Sequence, residues 1–417
     1  MNSSTLTSSF RDWPQTLGLA ARNLTRQPRR TAIAIAAISF GVVALMLASG
    51  FIDWIFFDMR ESTIHSRLGH LQIVRPGYHA NGHADSNRYL LPDGGVDFER
   101  LASNPSVRTI APRLSFAGLA SKGDTTLSFL ADAVMPARET ELSRALTIVE
   151  GRDLQADDRG AAIFGAGLAR NLDVRVGDRV VLLVTKPSGG INATEVVVQG
   201  LFTTITKSYD DAALRVPLAT AQRLLGSRGA HVWVALLDKT EATDRVALQL
   251  RSLLPKQFEV VTWYELADFY RKTVALFSRQ TDVVRIIIAA IILLGISNTM
   301  MMTVTERTGE IGTSMALGVP RRGILTLFLL EGALLGVCGG ALGVLLGTML
   351  AEAISAIGIP MPPPPGMDRG YTAQVRITMG LAVDAFVLAV ATTLVATIYP
   401  AWKASRLEIV DALRHNR

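Results

Sequence analysis

One cysteine, Cys338, is all that the 417 residues contain, so no disulfide can form within the chain. Aromatic residues are scarce too, at 6%. No G-x-x-x-x-G-K-[ST] segment occurs, which excludes ATP binding through a P-loop by these residues. H-E-x-x-H and G-x-S-x-G are also missing, and with them the common signatures of zinc proteases and α/β-hydrolases. His65, His70, His79 and His83 lie close together, but without cysteine partners or a helical pair spacing. Solvated loop histidines are the default reading, with a metal site the minor one. Apolar runs carrying acids at proton-relay spacing are lacking, which argues against an ion-coupled secondary transporter.

What is abundant is apolar sequence. It makes up 49% of the chain, and mean hydropathy is +0.30. These residues concentrate in four runs, 31–57, 283–304, 323–350 and 377–400. About 20 apolar residues at 1.5 Å each cross a bilayer core, so each run reads as a transmembrane helix. A signal peptide would have a shorter apolar core and a small-residue cleavage site. The first run instead ends in Phe51-Ile52-Asp53-Trp54 and reads as an uncleaved anchor. The net charge of +6 in a soluble protein would suggest nucleic acid. Here Arg22, Arg26, Arg29 and Arg30, then Arg321 and Arg322, then Lys403, Arg406, Arg414 and Arg417 flank the runs. The positive-inside rule places these flanks, and both termini, in the cytoplasm. Residues 58–280 are then extracytoplasmic.

Before the first run, residues 1–30 form a cytoplasmic lead. Leu17, Ala20, Ala21 and Leu24 recur at helical spacing and predict a short helix lying on the membrane surface. Within the first run Ala37, Gly41, Ala44 and Ala48 form a small-residue stripe. Gly332, Gly336 and Gly340, then Gly343 and Gly347, do the same in the third. Such stripes let helix backbones pack closely. Glu331 near the start of the third run reads as a structural ion pair or a snorkelling acid as readily as a functional one. Asp384 lies near the outer end of the fourth. Residues 351–376 form a loop in which Pro362 to Pro365 predict a stiff polyproline connector. Pro400 opens the exit into the tail 401–417.

The segment 58–280 alternates strand and short-helix signals. Strands are expected at 68–74, 109–121, 125–134, 231–237 and 258–262, with helices at 96–103 and 241–254. An insertion at about 140–229 has β character of its own. This is a βαββ and then βαβ order, an α+β module carrying a mostly-β subdomain. After Trp263 helix signal resumes at Tyr264 and runs on into the second span, as a rigid stalk would.

The stretch Val283 to Val319 organises the rest. Its apolar run stops at Thr305-Glu306-Arg307. Glu310 follows, then the apolar segment Ile311 to Leu317, and Gly318 and Pro320 end it as a helix C-terminus ends. A membrane helix thus runs into a short charged surface helix over 305–322. Glu306, Arg307 and Glu310 alternate in sign there and could pair with a partner or with one another.

The residues Val304-Thr305-Glu306-Arg307-Thr308-Gly309-Glu310-Ile311-Gly312, followed by Met315-Ala316-Leu317-Gly318, resemble the cytoplasmic coupling segment of FtsX/MacB-type (type VII) ABC transporter permeases. Ala21-Arg22-Asn23-Leu24, Gly151-Arg152-Asp153-Leu154, Leu168 to Asp178, Val216-Pro217-Leu218, Phe328 to Gly332, Tyr399-Pro400-Ala401 and Asp411-Ala412-Leu413 agree in order, over nearly the full length. The resemblance implies four transmembrane helices and a ferredoxin-like periplasmic porter module with its inserted subdomain. It implies a non-catalytic subunit of the bacterial inner membrane that pairs with a second permease copy or a paralogue and contacts membrane lipid. ATP and magnesium would be held by a separate cytoplasmic ABC ATPase, contacted by Glu306, Arg307, Glu310, Ile311, Met315 and Leu317. No cofactor is expected in this chain, and no nucleic acid. Ala37, Gly41, Gly332, Gly336 and Gly340 would pack the spans. The lipoprotein-releasing branch, which extracts lipoprotein or lipid, is the leading expectation for function. Drug or peptide efflux with a periplasmic adaptor, and a signalling module that controls a periplasmic hydrolase, are the alternatives.

Overall fold

The structure is a computed structural model that describes residues 13–82, 86–92, 94–186, 189–204, 207–362 and 371–408. It divides into two compact units. The first comprises residues 1–56, 274–360 and 372–417, and the second comprises 57–273 and 361–371.

The first unit is helical. Four helices among the described residues are long and apolar enough to cross a membrane. They are Pro28–Thr63, Asp268–Glu306, Arg321–Ile357 and Met379–Ser405, here the first to fourth long helices. Each is longer than its apolar run, because polar residues continue the helical hydrogen bonding beyond the hydrocarbon. Pro28 opens the first, at the position where its missing N–H costs nothing. Thr378 caps the fourth, its hydroxyl accepting from the Leu381 N–H at 3.2 Å. Pro400 does not begin an exit. It is buried inside the fourth helix, which continues to Ser405.

Glycine decides how these helices pack. A Cβ on Gly336 would lie 3.2 Å from Val390 Cα, and one on Gly340 3.0 Å from Phe386. On Gly332 it would collide with Thr397. These three glycines seat the third helix on the fourth. Gly339, Gly343 and Gly347 form a second stripe, where a Cβ would come within 2.8 Å of Ile38, 2.6 Å of Val42 and 3.0 Å of Met46. That stripe seats the third helix on the first, and the Ser39 hydroxyl donates to the Gly339 carbonyl at 2.9 Å. Of the expected stripe on the first helix, Gly41 packs against Ile292 of the second. Ala37 and Ala48 are exposed. The N-terminal helix Trp13–Arg26 buries Ala20 and half-buries Leu24, while Leu17 and Ala21 of the expected stripe stay exposed.

The second unit is α+β. Its strands are β1 (Leu71–Val74), β2 (Val107–Lys122), β3 (Thr125–Val134), β4 (Thr147–Gly151), β5 (Ala161–Gly165), β6 (Arg179–Thr185), β7 (Ile191–Thr203), β8 (Ala213–Pro217), β9 (Val232–Leu237) and β10 (Glu259–Thr262). An antiparallel sheet of order β10-β1-β9-β2, with helices Val96–Ala102 and Thr243–Leu253 in its connections, is the doubled βαβ of a ferredoxin-like module. Its core packs Ile73, Phe98, Leu101, Trp233, Val246 and Leu250. The long β2 serves two sheets. Its first half pairs with β9, and Leu114–Lys122 pairs with β3. Pairings β2-β3-β8-β5-β7-β6 and back to β2 close a ring of six strands. Phe129, Phe164, Leu182, Val196 and Leu214 fill it. The inserted subdomain therefore begins within β2 and includes β3, well before residue 140, because one strand continues through both sheets. At its hairpin Gly123 adopts φ +59°, open to glycine at no cost.

Two sequence expectations change. Helix does not run on from Tyr264. Thr262 and Glu265 form a reciprocal capping box around the short turn Trp263–Leu266. Ala267, at ψ 63°, then breaks the helix before Asp268. Of the expected polyproline connector, Pro363 to Gly366 lie outside the described residues, and Ile359–Met361 forms a short strand.

Candidate functional site

The charged corner at the end of the second long helix is built from three helix junctions. The helix ends at Glu306, Arg307 (φ −96°, ψ 13°) makes the bend, and a short helix runs Thr308–Ala316. Gly318, at φ +98°, terminates it, and Pro320 precedes the third long helix. The sequence suggested that Glu306, Arg307 and Glu310 share one surface helix. The structure puts one in each element, and each has a different partner.

Glu306 takes a bidentate ion pair from Arg30 of the first long helix. Arg307 lies over the Phe328 ring, 5.6 Å from its centroid. Its Nη1 donates to Glu331 Oε1 at 3.0 Å and its Nε to Glu310 Oε2 at 3.2 Å. Asn23 Nδ2, from the N-terminal helix, donates to the same Glu331 oxygen at 2.7 Å. Glu331 is only 2% exposed and ion-paired with Arg307, which matches the ion-pair reading of the three its sequence position allowed. A buried carboxylate at this depth is tolerable only when paired and hydrogen-bonded. Residues 23, 30, 306, 307, 310 and 331 thus clamp together all the elements that meet here.

Apolar side chains fix the short helix from below. Ile311 and Met315 are buried with Val304, Ile324 and Phe328. Its tip stays open: Leu317 is 83% exposed, the Glu310 side chain 63%, and Val319, Arg321 and Arg322 are exposed too. The six expected coupling residues therefore divide. Ile311 and Met315 are packing, Glu306 and Arg307 are internal ties, and Glu310 and Leu317 face outward. Sequence reasoning missed Asn23 and Arg30 as members. Arg30 was read only as one of several basic residues ahead of a span, and Asn23 only as part of the matching segment Ala21-Arg22-Asn23-Leu24, and neither signal names a partner.

The second unit holds a buried ionic cluster that no sequence pattern announced. Arg113 on β2 and Arg215 on β8 both pair with Glu139. Arg215 also donates to Ser143 Oγ at 2.7 Å and to the Ser66 carbonyl at 3.2 Å. Nearby, burial alone would raise the Asp132 pKa. Arg67, Arg215 and hydrogen bonds from Tyr209 and Ser115 outweigh it and hold the carboxyl at about 2. Of the clustered histidines, His70 is buried. Its Nδ1 accepts from the Leu237 N–H at 3.1 Å, and its Nε2 meets Thr240 Oγ1 at 3.0 Å. Burial, then the charges of His65 and Arg60, lower its pKa to about 4. His65 stands edge-on to His70, His79 lies against Tyr78, and His83 is outside the described residues. Among the described residues no three ligating side chains gather as a metal site would require.

Comparison with known proteins identifies the family. Residues 31–253 match the MacB-like periplasmic core domain, and residues 283–409 match the FtsX-like permease C-terminal family. The chain belongs to the FtsX/MacB-type family of ABC transporter permeases. An uncharacterized ABC transporter permease of Methanocaldococcus jannaschii is 29% identical over 66% of this chain and 68% of its own length. The macrolide export ATP-binding/permease protein MacB of Rhodospirillum rubrum is 28% identical over 96% of this chain but 60% of its own length. The lipoprotein-releasing system transmembrane protein LolE of Haemophilus influenzae is 23% identical, covering 76% of this chain and 79% of that protein. The chain thus spans about 60% of the length of the MacB relative. The solved periplasmic region of MacB from Actinobacillus actinomycetemcomitans aligns with 50% of this chain and 93% of its own, at 17% identity and a TM-score of 0.35.

Proposed function

We propose that this permease is a non-catalytic subunit that transmits the ATP-driven motion of a separate cytoplasmic ABC ATPase to its α+β module on the far side of a bacterial inner membrane. The reading takes lipoprotein or lipid extraction as the task. ATP and magnesium would be held by the partner. Both termini are placed in the cytoplasm on the basis of their basic flanks.

The observation that carries this reading is the corner around Arg307. Force applied at the exposed tip of the short helix reaches three long helices through the ion pairs of Arg307 and Arg30, and the N-terminal helix through the hydrogen bond from Asn23 to Glu331. The first and second long helices each continue unbroken past the sequence positions that bound the helical unit. A helix held by continuous hydrogen bonds carries displacement along its axis. Exposed apolar side chains on the second helix, among them Ile286, Ile291 and Leu294, with Ala37 and Phe40 on the first, offer a face for a second permease copy or for lipid.

The test is co-purification with a candidate ATPase. The complex should hydrolyse ATP, and the isolated chain should not. Turnover by the isolated chain, free of contaminating ATPase, would sink the proposal. Efflux of a drug or peptide through an adaptor is the second reading, supported by a MacB relative that aligns with 96% of this chain. Crosslinking in native membranes separates the two, by capturing either a lipoprotein carrier or an adaptor.

A further inference from the structure

At the end of the helical unit opposite the Arg307 corner, a cavity of about 390 Å³ opens between the first, second and fourth long helices. Its polar wall is unusual for a membrane span. Asp53, Asp282 and Asp384 line it, with Arg285 and the hydroxyls of Ser49 and Thr281. Ile52, Phe56 and Leu381 supply apolar surface on the same wall. No ion pair within the described residues joins Asp282, Asp384 or Arg285 to anything. Asp53 has only Arg376, 3.9 Å from its Oδ2, and that oxygen lacks a hydrogen-bond partner.

Ser49 supplies an independent observation. It is 7% exposed, and its Oγ has no hydrogen-bond partner among the described residues. Inside a helix a serine hydroxyl ordinarily bonds back to a carbonyl one turn earlier. Thr63, Thr281, Thr299 and Thr303 all do so here. Ser49 Oγ is instead an orphan in the wall of a polar cavity. A buried hydroxyl without a partner is destabilising, and ionisable groups within a membrane-spanning helix point to a function by default.

We propose that this cavity binds a primary ammonium group carried on an apolar body, as in an aminophospholipid headgroup or a soluble organic amine. Three carboxylates against Arg285 leave the wall net negative, and it stays so when Arg376 is counted. An –NH₃⁺ group brings three donors and no acceptor. It fits Asp53 Oδ2 and Ser49 Oγ, both without a donor among the described residues, with the exposed Asp384 on the same wall, while Ile52, Phe56 and Leu381 receive the apolar part. Arg285 opposes the ligand's charge and limits affinity. The rim is fixed to the first helix at Gly50, whose carbonyl accepts from Arg376 N–H at 3.0 Å and where a Cβ would meet Val375 at 2.9 Å. The site is made by this chain alone and does not rest on the ATPase reading, so failure of one leaves the other standing.

The full chain in phosphatidylglycerol nanodiscs is titrated with para-fluorobenzylammonium, followed by fluorine NMR against empty nanodiscs. Saturable binding is expected, weakened about tenfold by Asp53→Asn and by Asp384→Asn, and about threefold by Ser49→Ala. Arg285→Gln should tighten binding about threefold, a gain that misfolding cannot produce. Para-fluorobenzoate should show no saturable binding. Adding phosphatidylethanolamine distinguishes the sources: competition assigns the site to a lipid amine, and unchanged affinity assigns it to a soluble one. The proposal is overturned by absent saturation, by equal binding of the benzoate, or by affinity that moves with neither Asp53→Asn nor Arg285→Gln.

Discussion

The two ends of the helical unit treat charge in opposite ways. At the Arg307 corner, Arg30, Glu306, Arg307, Glu310 and Glu331 are all paired, one of them almost fully buried. Around the cavity at the other end, Asp282, Asp384 and Arg285 have no ion-pair partner among the described residues. Pairing buries the cost of a charge inside the protein and makes neighbouring elements move together. Charges left unpaired on an open wall stay available to water and to a charged ligand. The corner is therefore built for rigidity and the cavity for occupancy.

The largest test of that contrast removes one acid at each end. Glu331→Leu takes the buried one of Arg307's two carboxylate partners and the acceptor of Asn23, and should cost about 3–5 kcal/mol, the usual loss when one partner of a buried pair is removed. Asp384→Leu should cost within about 0.5 kcal/mol, since no partner is lost. Thermal unfolding of both variants in the same detergent decides it, and equal losses would erase the distinction.

The α+β module should differ from the helical unit in its response to acid, because all the histidines among the described residues belong to the module. His70 has its folded pKa lowered to about 4 from 6.5. The unfolded chain thus binds the extra proton more readily. The stabilisation is fully present above pH 6.5 and is lost as pH falls towards 4. It amounts to at most about 3 kcal/mol. Asp132 adds a second loss only between its ordinary value of 3.8 and about 2. Hydrogen exchange across β9 should accelerate from pH 6.5 downward, while amides of the third long helix do not change after correction for intrinsic rates. His70→Gln should flatten the module's response. A flat profile in the wild-type chain would contradict the assignment.

A smaller effect separates packed glycines from free ones. Gly343→Leu would push against Val42, where even a Cβ reaches 2.6 Å, and should cost about 1–3 kcal/mol. Gly295, with nothing within 4 Å of its would-be Cβ, should accept leucine without loss of melting temperature. Equal shifts in the two variants would mean that the glycine stripe does not set the contact.

The long apolar runs, the α+β order and the short helix that follows the second run and ends at Gly318 were legible in sequence because they rest on local periodicity and turn chemistry. The division of glycines was legible only in part. A four-residue spacing marks Gly332, Gly336 and Gly340 as an interface, but not which helix meets them. Gly339 heads a second face invisible without the partner. Ala37 shows the same limit, since a small residue on a helix is exposed here although its neighbour Gly41 is packed. Pairings across hundreds of residues, such as Asn23 with Glu331 or Arg30 with Glu306, leave no local trace. Nor did the start of the inserted subdomain, because β2 passes between sheets without a turn. The charges at the corner illustrate the gap best. Their alternation suggested one shared surface, and the bend at Arg307 distributes them over three elements.

The central claim is that the corner's exposed tip docks an ATPase while its ion pairs carry the motion onward. Leu317→Asp, at an exposed position that belongs to none of the ion pairs described above, is the most direct probe. The measurement is retention of the ATPase, and the ATP turnover of the retained complex, after purification of the substituted chain beside wild type. The account predicts an unchanged melting temperature, within about 0.5 kcal/mol in stability, together with loss of the ATPase. A Leu317→Asp chain that holds its ATPase and turns over ATP as wild type does would contradict it.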